Sequence, residues 1–121
     1  VVSNADDAWL EPSIRRHALD GLLDHWTSSE EARSCKPDPG IFHFSLAKAQ
    51  LEPGEVIYVG DSLHHDVAGA HAAGIRAVHL ADPAVATPLA SGLAADARPD
   101  FEIEDLGRLL PIVDDLRGGT P

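Results

Sequence analysis

Four side chains stand out for the chemistry that their types and settings allow: Ser3, Lys36, Asp61 and Asp66. Ser3 closes the apolar pair Val1-Val2, and Asp61 follows the apolar run Val56-Ile57-Tyr58-Val59 and Gly60. Lys36 stands between Cys35 and Pro37-Asp38-Pro39, where the prolines bias their neighbours away from helix. A hydroxyl, an ammonium and a carboxylate on one rim suit an anion held beside a hard cation. Lysine offsets the anion's charge, serine donates a hydrogen bond, and the carboxylate binds the cation through oxygen. Asp66 follows Asp61 into the first turn of the next helix, where the dipole favours a carboxylate. It is a candidate second acid near the same metal.

Each residue also has a plainer reading. Ser3 and Asp61 could be turn formers, Lys36 a solvated loop lysine, and Asp66 a helix N-terminal charge. Position weighs against the plainer readings of Lys36 and Asp61, because Lys36 lies between a strand and Pro37-Asp38-Pro39, Asp61 follows a wholly apolar strand, and ligands of open α/β sheets bind beyond the carboxyl ends of strands; the plainer reading of Ser3 stays open. His64-His65 invites a transition-metal reading, but adjacent helical side chains point apart. Cys35 has no histidine paired with it in the sequence pattern, so a thiolate nucleophile is disfavoured.

The elements that would carry these residues alternate. Val1–Ser3 reads as the end of a buried strand. Pro12 fits the first turn of a helix in which Ile14, Ala18 and Leu22 recur at helical spacing. His25–Ser28 reads as a short strand. Pro39 starts a helix with Phe42, Leu46 and Ala49 on one face. Val56–Val59 has the continuous apolar character of a central parallel strand. A helix over about His64 to Ala73 follows, stopped by Gly74, then a strand over Arg76–Leu80. Residues 82–100 read as a loop, Phe101–Ile103 as an edge strand, and Leu106, Leu109, Leu110 and Val113 as a last helix with Pro111 awkwardly inside it. Strand–helix alternation predicts an α/β fold with a parallel sheet of about four to five strands and flanking helices. Residues 1–116 form one domain in this reading, and 117–121 a disordered tail.

Nine Lys+Arg against twenty Asp+Glu give a net charge of −11, a field that disfavours nucleic-acid binding. A small phosphorylated substrate would need a local cation to be held. No apolar run is long enough to span a membrane, so no membrane partner is expected. The single cysteine excludes an internal disulfide and suits the cytoplasm. The chain opens at Val1, not Met, inside an apolar stretch, which reads as a start cut into a longer protein.

These residues together resemble a known family. Val1-Val2-Ser3-Asn4 is similar to the second motif of the haloacid dehalogenase (HAD) superfamily. Cys35-Lys36-Pro37-Asp38-Pro39-Gly40-Ile41-Phe42 is similar to its third motif, and Val59-Gly60-Asp61-Ser62-Leu63-His64-His65-Asp66-Val67-Ala68-Gly69-Ala70 to its fourth. The resemblance spans roughly residues 1 to 80. It implies a partial Rossmann-like core and a hydrolase acting on a small phosphorylated metabolite through an aspartyl-phosphate, with Mg²⁺ as cofactor. By position, Ser3, Lys36 and Asp61 would be catalytic, and Ser3, Asn4 and Lys36 would bind phosphate. Asp61 would coordinate the metal, and Asp66 would support the metal or orient Lys36. The metal-free dehalogenase branch carries an uncharged residue where Asp61 stands, so the acid favours a phosphatase. A 2-haloacid dehalogenase-type hydrolase and a non-catalytic phosphate- and Mg²⁺-binding regulatory domain are the alternatives.

The family's first motif, an Asp-x-Asp strand carrying the nucleophile, is absent, as is the cap domain. The resemblance places that strand between the Ser3 strand and the Val56–Val59 strand. It follows that the missing N-terminal segment of the same protein is an expected partner, and that this chain alone is expected to be inactive and to fold poorly.

Overall fold

The computed structural model describes residues 1–81 and 97–118. Most of the loop expected over 82–100 therefore lies outside the described residues, as do 119–121 of the expected tail. Arg117 and Gly118 belong to the last helix.

Among the described residues, five short parallel-paired strands lie in two sheets. Strand β1 (Val2–Ser3) pairs with β2 (Thr27–Ser28), in the register Val2 to Thr27 and Ser3 to Ser28. Strand β3 (Ile57–Gly60) pairs with β4 (Arg76–Leu80), and β4 with the edge strand β5 (Phe101–Ile103). Between β1 and β3 there is no ladder. The Tyr58 hydroxyl crosses this seam to the Val2 carbonyl at 3.0 Å. Beneath it lies a cavity of about 200 Å³, lined by Val2, His25, Phe42, Leu46, Ile57 and Tyr58 among others.

Helix α1 (Asp7–Arg16) starts and stops earlier than its periodicity suggests, and Pro12 sits inside it. Asp6 stands at its N-cap and Asp7 in its first turn, so the acidic turn residues begin the helix. Its apolar stripe buries Leu10 and Ile14. Ala18 adopts positive φ just beyond the helix, and Leu22 is exposed. Helix α2 is a single turn, Ser29–Ala32, capped by the Ser28 hydroxyl, which accepts from the Glu31 N–H. Helix α3 (Pro39–Ala49) begins as expected: Pro39 stands in the first turn, and the Asp38 carboxylate accepts from the Gly40 N–H.

A wide turn of π-helix over Leu63–Val67 leads into helix α4 (Ala68–Ala72). The last helix, α5 (Leu109–Gly118), follows a 3₁₀ turn at Leu106–Arg108. Pro111 falls in the first turn of α5, where backbone N–H groups have no intrahelical partner, so the ring costs no bond there.

The core joins α3, α4 and β4 through Ile41, Phe42, Leu46, Val67, Ala70, Ala73, Ile75 and Ala77. Helix α4 comes so close that a Cβ on Gly69 would lie 2.7 Å from the Phe42 ring and 3.1 Å from the Pro37 Cα. The small residues of this helix thus admit the third-motif segment, which holds the Lys36 loop against the fourth.

Candidate active site

Lys36 follows β2 and the short α2, on the loop before α3. Its backbone is gripped at two points. Asn4 Oδ1 accepts from the Lys36 N–H at 2.8 Å, and Asn4 Nδ2 donates to the Lys36 carbonyl at 3.2 Å. Because Asn4 directly follows Ser3, this clamp brings the end of β1 to the lysine loop. The contacts of Asn4 seen here position Lys36.

The Lys36 ammonium is bonded to Asp66 Oδ1 at 2.7 Å and to the Tyr58 hydroxyl at 3.1 Å. The side chains of this ion pair are only 13% and 6% exposed. Burial pulls the lysine pKa down, but the nearby Tyr58 and the hydrogen-bonded Asp66 outweigh it, and the net shift is upward. The ammonium therefore keeps its proton across the neutral range. Burial also raises the Tyr58 phenol, against the pull of Lys36, so it stays neutral.

Asp66 reaches this place because of the turn before it. The Ser62 carbonyl accepts from both the Asp66 and Val67 N–H groups, and the Ser62 hydroxyl accepts from the His65 N–H at 3.0 Å. The Asp66 side chain folds back so that Oδ2 accepts from the Ser62 N–H at 3.0 Å. It then lies directly over Gly60, where a Cβ would stand 2.2 Å from the Asp66 Cγ. Each carboxylate oxygen of Asp66 thus has a protein donor. These contacts hold the Asp66 carboxylate against the Lys36 ammonium.

Asp61 follows Gly60 at the carboxyl end of β3, exposed, and His79, the register partner of Gly60 on β4, places Nε2 3.1 Å from the Asp61 carbonyl. The chain Ser3–Asn4–Lys36–Asp66–Gly60–Asp61, linked by covalent and close contacts, draws all the candidate residues to one rim. Among the described residues, no group of three His, Cys, Asp or Glu side chains is placed to hold a metal. The exposed Asp61 carboxylate is still a donor of the right chemistry for Mg²⁺, which keeps several waters and takes one or two carboxylates together with phosphate oxygens.

Tyr58 was read in the sequence only as part of an apolar strand. The available signal was its hydroxyl, since a tyrosine in a covered strand must find a polar partner. Gly60 carried a signal too, as a strand glycine marks a place where something approaches closely.

Comparison with known proteins fits this geometry. The chain is 36% identical over 120 residues to haloacid dehalogenase-like hydrolase domain-containing protein 3 of Bos taurus, a match covering 99% of this chain and 46% of that protein. It is 32% identical over 114 residues to a phosphoglycolate phosphatase of Mannheimia succiniciproducens, covering 93% of this chain and 48% of the other. A crystal structure of 2-haloacid dehalogenase from Pseudomonas syringae superposes with a TM-score of 0.71 at 31% identity, over 91% of this chain and 42% of that one. The chain therefore spans about half the length of the relatives it matches. A model of the haloacid dehalogenase-like hydrolases matches residues 1–80, which hold every candidate site residue, and the chain belongs to that family.

Proposed function

We propose that this chain forms the C-terminal part of the catalytic core of a Mg²⁺-dependent phosphomonoester phosphatase acting on a small phosphorylated metabolite. The observation that carries the reading is the buried Lys36–Asp66 pair, whose ammonium is fixed at the same strand ends as the exposed Asp61. A permanently charged donor beside an exposed carboxylate suits a phosphoryl group neutralised from two sides. Lys36 would bind a phosphoryl oxygen, and Ser3 would donate a hydrogen bond to another. Asp61 would hold Mg²⁺, which when bound offsets the charge that develops on the transferring group. Asp66 and Asn4 would keep Lys36 aimed.

The nucleophilic aspartate of this reading lies on a strand outside this sequence. The seam between β1 and β3 supports that placement, because the two strands share no ladder although the Tyr58 hydroxyl of one reaches the Val2 carbonyl of the other. The phosphoglycolate phosphatase relative supports the reaction class. The dehalogenase likeness supports a second reading, halide displacement without a metal. Asp61 weighs against it, since a carboxylate at the substrate rim would repel a haloacid anion unless a cation were bound.

Hydrolysis of p-nitrophenyl phosphate by the full-length parent protein tests the proposal. Turnover should require Mg²⁺, stop with a chelator, and fall by about 10²-fold or more in Asp61→Asn. The 121-residue chain alone should show no turnover. Halide release from a 2-haloacid in chelator, or phosphate release that Asp61→Asn leaves intact, would overturn it.

A further inference from the structure

Tyr58 has a chemical role that its place in an apolar strand conceals. Its ring meets Phe42 edge-on, with centroids 4.9 Å apart at 85°, and Phe42 is 1% exposed. The phenol is therefore held at a fixed point. Its one proton has two acceptors in reach, the Val2 carbonyl at 3.0 Å and Asp66 Oδ1 at 3.4 Å. The shorter and better contact is Val2, so the proton goes there. The phenol oxygen then presents its lone pairs to Lys36 Nζ at 3.1 Å, which can only donate.

A lysine side chain carries rotamer entropy that must be lost before its charge has a defined place. Asp66 takes one of the three ammonium protons and Tyr58 a second, which leaves the third to a ligand. One acceptor alone would let the ammonium swing about a single hydrogen bond, whereas two acceptors fix its direction. The same hydroxyl also ties that direction to Val2, the residue before Ser3. Lys36 and Ser3, the two groups proposed to meet one phosphoryl group, are thus set relative to each other by one phenol.

We propose that Tyr58 is a positioning residue for Lys36, fixing the ammonium relative to the Ser3 strand through its hydroxyl. This inference rests on the phosphatase reading for its effect on turnover, but not for its effect on Lys36 itself. The test is Tyr58→Phe in the full-length parent, which keeps the ring and removes only the hydroxyl. Two measurements are made on the same preparation: kcat and KM for p-nitrophenyl phosphate with Mg²⁺, and the rate of reductive methylation of Lys36 followed by mass spectrometry. Lys48, the other lysine of this sequence, serves as the internal standard. A melting temperature and Lys48 rate like wild type show that the fold is kept.

The expected result is Lys36 methylation several-fold faster, kcat reduced about tenfold and KM changed far less, as for an interaction felt mainly in the transition state. Unchanged methylation overturns the proposal, and so does faster methylation with unchanged kcat. If wild type has no phosphatase activity, the phosphatase reading fails by itself, and the methylation rates still decide whether Tyr58 holds Lys36. Should Tyr58→Phe not fold, Tyr58→Leu, which also lacks the hydroxyl and offers Lys36 no acceptor, replaces it. Methylation of Lys36 no faster than in wild type in that variant would also sink the idea.

Discussion

The carboxylate of Asp66 occupies space that exists only because residue 60 has no side chain. Its Cγ lies 2.2 Å from where the Cβ of any other residue would be, and its two oxygens are bonded to Lys36 and to the Ser62 N–H. Gly60→Ala must therefore push out a side chain that is pinned at both ends. The strand gains a little from alanine's lower chain entropy, but separating a buried ion pair costs about 3–5 kcal/mol. We predict a net loss of roughly 2 kcal/mol or more in denaturant unfolding of the full-length parent, together with loss of turnover. An alanine variant as stable as wild type would show that Asp66 has another place to go. This scale was half legible in the sequence. Lys36, Asp61 and Asp66 were legible because charged residues next to apolar runs are conspicuous. The acceptor role of Tyr58 and the clamp by Asn4 were hidden, since both depend on contacts between residues far apart in the chain.

Among the elements, α3 and β4 were read closely, because Pro39 marks a helix start and the run Arg76–Leu80 has no competing period. Helix α1 was misplaced, since its apolar spacing continues past a chain reversal that only Ala18's positive φ reveals. The π turn at Leu63–Val67 is invisible to a 3.6-residue pattern, yet it leads Asp66 to Gly60. The junction of β4 and β5 depends on Asp100, whose carboxylate accepts from the Ala77 N–H at 2.8 Å and meets His71 Nε2 at 2.8 Å. The Ala77 hydrogen bond first, and His71 second, hold its pKa below the ordinary 3.8. A carboxylate with a depressed folded-state pKa adds stability above its unfolded value, and that stability fades as pH falls through the folded one. Melting temperatures of the full-length parent should therefore drop more steeply below pH 3.8 for wild type than for Asp100→Ala, and parallel acid profiles would contradict this.

At the scale of the whole molecule, the α/β class and parallel pairing followed from alternating elements, but the split into two sheets did not. Alternation fixes that strands are parallel; it does not say which neighbours touch. Only the likeness to a family with one more strand pointed to a break between the Ser3 strand and the Val56–Val59 strand. The acidic surface is a property of the same scale. At a net charge of −11, any anionic substrate approaches against the overall field, so the proposed site would have to offset it locally, through the buried ammonium and the cation proposed at Asp61.

The seam has an isotopic consequence. Amides that point into it have no ladder partner, so in deuterated water the seam-facing N–H groups of β1 and β3 should exchange within the first time points in this chain. Those between β3 and β4 should persist far longer. If the proposed nucleophile strand fills the seam, these amides should become as slow as their neighbours in a longer chain that carries it, making deuterium uptake along two short strands a gauge of whether the sheet is whole. Equal uptake in the short and full-length chains would mean that nothing fills the gap.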